Sequence, residues 1–331
     1  MVGRFVTRTL ALALLTALAQ IAYYGLVGYR TVPQKVRLID DYRPGLLDVV
    51  YFGDSTTVDS CPGDADCRPL PKMIGDALPH ARVLPITHYA YHMGLYRAFC
   101  RRLAAAERPP AAAVVPINLR SFSVQWDRSP LWQFEKEQFL IDHPGFLARA
   151  FWRPLAVFRA VELNPLSMEA FGEVPVYAGA TLAGQAADFE FMDPDADREA
   201  YHAAHFIYRY QYALSRDHRR LEALLDVVRM LEAAGATPVL YITPIDYQTG
   251  ERYHGPAFTQ QIEANVAVIQ AALAECGAEA IDLSRALPPD AFCYGQHIHE
   301  HLDQEGRAFV AAQILPPIRA ALASRLDTPQ N

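Results

Sequence analysis

The chain has 331 residues, 51% of them hydrophobic and 20% charged, with 37 acidic against 30 basic side chains and a net charge of −7. That composition supplies a substantial core for one enlarged α/β domain or for two smaller ones. No basic block with interleaved aromatics occurs, which argues against a nucleic-acid partner.

The first predicted element is an uncharged run from Thr9 to Tyr29, between Arg8 and Arg30. About 20 apolar residues suffice for a helix to cross a bilayer, and this run is long enough. Ala17-Leu18-Ala19 is similar to a signal-peptidase site. The apolar run nevertheless continues through Ile21, Tyr23, Tyr24, Leu26 and Val27, which suits an uncleaved anchor better. A buried core helix is the third reading. Arg4 and Arg8 on one side are answered by Arg30, Lys35 and Arg37 on the other, so flanking charge leaves the orientation open. The expectation is an anchor or signal over 1–30, a linker over 31–45 and a domain outside the cytoplasm (periplasmic in a Gram-negative cell), secreted if the signal is cleaved.

From Leu46 to Phe52 an apolar run ends at Gly53, as a buried strand of a parallel sheet would. Similar runs follow at Arg82–Thr87, Ala112–Asn118, Thr237–Thr243 and Ala278–Leu283. Helical patterns cover Leu95–Ala106, Ser215–Ala234, Phe258–Cys276 and Gln304–Leu326. This alternation predicts a doubly wound, mostly parallel α/β sheet over 46–326, with sites at the carboxyl ends of its strands and a short tail at 327–331. The alternation breaks from Ser121 to Tyr212, a stretch with Trp126, Trp132, Trp152 and several prolines that reads as a helical or irregular insertion.

Cys61 and Cys67 bracket the short polar loop Pro-Gly-Asp-Ala-Asp, a spacing that lets the two sulfurs meet in a disulfide. Cys276 and Cys293 form a second candidate pair, leaving Cys100 free. Disulfides fit an oxidising compartment.

Two segments carry candidate chemistry. Gly53-Asp54-Ser55-Thr56-Thr57 sets a serine at a strand-to-helix turn, where backbone N–H groups favour negative charge. A serine hydroxyl needs a base to become a nucleophile; otherwise Asp54, Ser55 or Thr56 simply caps the next helix. Near the other end, His297-Ile298-His299-Glu300-His301-Leu302-Asp303 places a histidine directly before the last helix. From there His301 can swing over the first strand, with Asp303 as helix cap and Glu305 in the acidic first turn.

Gly53-Asp54-Ser55 after a hydrophobic strand, together with His301-Leu302-Asp303-x-x-Gly306, resembles the first and last blocks of SGNH (GDSL-type) hydrolases. Asn118 matches that family's oxyanion-hole asparagine and Gly94 its block-two glycine. The resemblance implies a flavodoxin-like three-layer fold without a cofactor, Ser55 as nucleophile and His301 as base. It also implies an oxyanion hole formed by the N–H groups of Ser55 and Gly94 and the amide of Asn118. With one membrane segment ahead of such a domain, the layout is similar to proteins that O-acetylate or deacetylate bacterial polysaccharides. The implied substrate is an acylated glycan or similar ester, and other polysaccharide-modification proteins are implied partners. Two positions depart from the pattern: Ile298 stands where the family's triad Asp is usual, and Pro116-Ile117-Asn118-Leu119 replaces Gly-x-Asn-Asp. Glu300, a more distant carboxylate or a Ser–His dyad remain open as the arrangement around His301.

Two other classes compete. His297, His299 and His301 would share one face of a strand, which suits a metal-dependent hydrolase. An inactive glycan-binding module is the other. In the insertion, Trp126 and Trp132 either flank a glycan groove or form a small core, and Arg120 either contacts an anionic substrate or makes a surface salt bridge.

Overall fold

The structure, a computed structural model, describes residues 2–26, 48–106, 109–123, 126–127, 132–143, 145–146, 197–293 and 300–326. The chain divides into two compact units, Met1–Tyr42 with Phe134–Asn164, and Arg43–Gln133 with Pro165–Asn331. The first holds helices α1 (Val2–Leu26) and α5 (Glu135–Asp142). Within α1, Val2–Tyr23 has a mean hydropathy of 1.6 and contains no buried residue among those described, and it is long and apolar enough for a membrane span or a signal sequence.

The second unit is an α/β domain. Its described residues form a five-stranded, all-parallel sheet in the order β2-β1-β3-β4-β5, from β1 (Val49–Gly53), β2 (Val83–Thr87), β3 (Ala112–Ile117), β4 (Thr237–Ile242) and β5 (Ala280–Asp282). The central strands Val-Val-Tyr-Phe-Gly and Ala-Ala-Val-Val-Pro-Ile are buried along their whole length. A parallel strand covered by helices on both faces reads as a continuous apolar run for this reason.

Residues alternate between the faces of a strand. Val49 and Tyr51 of β1 therefore share one face with Ala112, Val114, Val239 and Tyr241, and α3 (Leu70–Ala77) and α10 (Gln304–Leu326) pack there. Helix α10 lays Val310, Ile314 and Ile318, all fully buried, on this core at a spacing of four. On the other face Phe52 meets Tyr96 of α4 (Met93–Ala104) at 5.0 Å between ring centroids. Helices α7 (Arg219–Ala233) and α9 (Pro256–Ala274) complete that layer. The short α2 (Ser55–Val58), α6 (Arg198–Tyr210) and α8 (Tyr247–His254) join these layers through loops.

One local feature opens the sheet where a site belongs. The N–H of Ala112 donates towards β1, at Asp48 O, so by alternation position 116 faces β1 too. Proline has no N–H to donate there. The β1–β3 ladder accordingly stops at Tyr51↔Val114, whereas β3–β4 pairing continues to Ile117↔Ile242. The two strands part at their carboxyl ends, at the point where strand order reverses and ligand crevices form in such sheets.

Candidate active site

Gly53 closes β1 because nothing larger fits. A Cβ there would lie 2.1 Å from Thr57 Oγ1 and 3.0 Å from Thr87 Cγ2. The tight packing of Thr57 on Gly53 folds the next residues into α2. Asp54 caps this turn, its Oδ1 accepting from Thr56 N at 2.9 Å and from Thr56 Oγ1 at 2.7 Å. Ser55 is thereby fixed as the first residue of the turn, buried but at the mouth of the β1–β3 gap.

His301 arrives from the far end of the chain. Cys293 N donates to His301 O at 2.8 Å, Asp303 N donates to Ala291 O at 3.0 Å, and Phe292 bridges Leu302 in antiparallel fashion. These bonds hold His301 against the 291–293 segment immediately before α10. Its Nε2 lies 3.1 Å from Ser55 Oγ. The two residues that sequence pairs as nucleophile and base are in hydrogen-bond contact.

The carboxylate facing the other ring nitrogen is Asp59, its Oδ2 3.6 Å from His301 Nδ1. Asp59 follows α2 and donates its backbone N–H to Ser55 O at 3.0 Å, one turn beyond the serine. Burial pushes its carboxyl pKa up, with a further rise from Asp54. A hydrogen bond from Tyr89, whose hydroxyl donates to Oδ1 at 3.1 Å, opposes this. Sequence reasoning missed Asp59, although the i,i+4 spacing from Ser55 was a readable signal.

This corrects the expectation for Glu300, which is turned into a buried ionic network. It pairs with Arg120, with Arg209 Nη1 at 3.0 Å and with Tyr210 Oη at 3.1 Å. Arg120 Nη2 also reaches Asp54 Oδ2 at 3.2 Å. Two carboxylates and two guanidiniums thus balance in the interior, as buried charges must. Arg120 is buried rather than a surface salt bridge, and it bridges the serine turn to the residue before His301. Its guanidinium lies 4.4 Å from the Trp126 ring, and Trp126 stacks on Trp132 at 5.2 Å and 3°. Trp126 is buried and serves as packing rather than a groove wall, while Trp132, stacked on it, is half-buried. Arg209 and Tyr210 were not found by sequence because they end a helix inside a stretch with no strand–helix rhythm.

Both expected oxyanion donors outside the serine turn have other partners. The Asn118 amide donates to Asp54 Oδ2 at 3.0 Å and to Glu300 Oε2 at 3.3 Å. The Gly94 N–H donates to His92 Nδ1 at 3.1 Å, capping α4. His92 is held as the neutral tautomer: its Nε2 donates to Trp132 O at 2.7 Å while Nδ1 accepts. Burial and the neighbouring Arg220 charge keep its pKa well below the ordinary histidine value. Neither donor, as it stands, points to a vacant acceptor.

The cysteine pairing is also corrected. Cys61 bonds Cys293, 232 residues away, with Cα atoms 5.3 Å apart, while Cys67, Cys100 and Cys276 are thiols. The 61–67 loop docks onto the start of α10 instead of closing on itself. Fully buried Arg307 donates to Asp64 Oδ2 and to Leu302 O, each at 2.8 Å, and Gln304 Oε1 accepts from Ala65 N and Asp66 N. The loop trailing Ser55 is thereby fastened to the segment carrying His301.

His297, Ile298 and His299 lie outside the described residues, as does Trp152. Among the described residues no group of three or more His, Cys, Asp or Glu side chains is disposed to hold a metal. Fold and site together define a parallel α/β domain with a Ser–His–Asp constellation at its switch point. No known protein family matches the chain, and no characterised protein matches it in sequence.

Proposed function

We propose that the protein is a serine esterase or O-acyl transferase of the SGNH type, acting on an acylated extracytoplasmic glycan and held to a membrane by α1. One observation carries the reading: His301 Nε2 is in hydrogen-bond contact with Ser55 Oγ at 3.1 Å, and Asp59 Oδ2 faces the other ring nitrogen at 3.6 Å, within ion-pair reach. The first contact is the one a nucleophile and its base require, and the second sets a carboxylate where a group that orients the base belongs. The 2-1-3-4-5 strand order and the α1 span are consistent with it.

In this mechanism His301 removes the Ser55 proton as Oγ attacks the ester carbonyl. Asp59 offsets the imidazolium that forms. His301 then returns the proton to the departing alcohol, leaving an acyl ester on Ser55. Water or a sugar hydroxyl, deprotonated by the same imidazole, releases the acyl group. The oxyanion develops near the N–H of Ser55 at the head of α2. Asn118 joins it only by releasing Asp54 or Glu300.

A fluorophosphonate probe should label Ser55, and Ser55→Ala should abolish both labelling and hydrolysis of a short-chain acyl ester. Removing His301 should cost on the order of a thousandfold or more. Labelling of a different serine, or full activity in Ser55→Ala, would overturn the reading.

A further inference from the structure

Across the described residues of the second unit, Tyr89 is the only large hydrophobic side chain left open to solvent, at 58% exposure. A lone exposed aromatic is ordinary in itself. What sets this one apart is its anchor, because its hydroxyl is bound to Asp59, the carboxylate behind His301. The register pairs Gly53 with Thr87, so the loop leaving β2 begins beside the serine turn. That loop is tied down: His88 N donates to Gly53 O at 3.3 Å, and the His88 ring stacks on Tyr91 at 5.1 Å. Ala90 takes a φ of 62°, a conformation L residues seldom adopt, and one that gathers at functional loops. The backbone is bent at some cost to present Tyr89 outward with its hydroxyl turned in.

Resting on the esterase reading above, we propose that Tyr89 has two tasks at this site: its ring is the stacking surface for a pyranose ring of the substrate, and its hydroxyl positions Asp59. A flat, open aromatic face suits the apolar C–H face of a sugar ring. A long acyl chain, by contrast, would call for an enclosed slot. The role that sequence offered to Trp126 and Trp132 passes to a residue at the rim. Asp59 is faced by His301, Tyr89 and Asp54, and Tyr89 is the group whose bond favours its ionised form. Taking away the hydroxyl should therefore raise the Asp59 pKa and move the acid limb of activity to higher pH.

The two tasks separate in two variants of the full chain. In a Ser55→Ala background, calorimetry with O-acetylated xylotriose and O-acetylated chitotriose reads binding without turnover. Tyr89→Leu should weaken binding about five- to tenfold, while Tyr89→Phe should keep it within about twofold. With Ser55 intact, Tyr89→Leu should raise KM for the acetylated sugars but not for ethyl acetate. Tyr89→Phe should lower kcat for all three and shift the acid limb upward. The proposal is overturned if neither sugar binds, if Tyr89→Leu binds as tightly as the parent, or if the Tyr89→Phe pH profile superimposes on wild type. Hydrolysis of ethyl acetate by Ser55→Ala would instead sink the esterase reading, and is read in a separate assay.

Discussion

Asp59 and Glu300 make opposite contributions, and paired substitutions tell them apart. Asp59→Asn keeps shape but leaves His301 without a facing charge, so activity should fall about a hundredfold or more in an ester-hydrolysis assay. Its stability should hold or improve. The raised Asp59 pKa means the folded state binds that proton more tightly than the unfolded chain, whose carboxyl titrates near 3.8. The stability this group contributes is therefore present at low pH and declines as pH rises through the window above 3.8, so at neutral pH the ionised side chain is a burden. Glu300→Gln strips the counter-charge from buried Arg120 and Arg209 and should cost about 3–5 kcal/mol in urea unfolding. A Glu300→Gln protein of normal stability with dead activity would reverse these assignments. Ser55 and His301 were legible in sequence because each sits at a punctuated boundary, one after a glycine-ended strand and one before a capped helix. Asp59 had only its i,i+4 spacing from Ser55 to mark it, because its approach to His301 depends on the docking of residues 300–303 against 291–293, which no local pattern encodes.

At the scale of elements, the five strands and the α4, α7, α9 and α10 helices all lie where apolar runs and helical periodicity put them. The physical reason is burial: strands covered on both faces cannot be polar anywhere, and helices on a sheet need one apolar stripe. Pro116 illustrates what remained hidden. It reads as an ordinary member of an apolar run, and only pairing shows that its missing N–H ends the β1–β3 ladder. Helix α10 continues through Pro316 and Pro317, which withdraw the donors for the carbonyls of Ala312 and Gln313. Both of those residues are exposed, which leaves their carbonyls on the solvent side of the helix. Pro317→Ala should restore one helical hydrogen bond and raise stability by up to about 3 kcal/mol in thermal or urea melts. A decrease would mean that the proline ring makes a needed contact.

For the whole molecule, the Cys61–Cys293 bridge matters more than any local pairing. Closing a loop of 232 residues removes chain entropy worth about 5 kcal/mol from the unfolded state. Cys293→Ser or reduction should lower the melting temperature and weaken activity together, since the bridge and Arg307 hold the two halves of the site in register. Cys67→Ser should change neither. Equal effects from Cys67→Ser and Cys293→Ser would show that the loop closes on itself after all. Composition could not foresee this pairing, because short separation is a poor guide once a loop docks on a distant helix.

The same long-range closure sets a clock on biosynthesis. Ser55 and His301 are 246 positions apart, so at ordinary ribosome speeds the serine leaves the tunnel roughly 12–50 s before the histidine does. Until α10 seats Arg307 on the 61–67 loop, the nascent polypeptide carries Ser55 without the imidazole that faces it in the folded domain. On the proposed esterase mechanism, a chain cut short before His301 would be chemically silent.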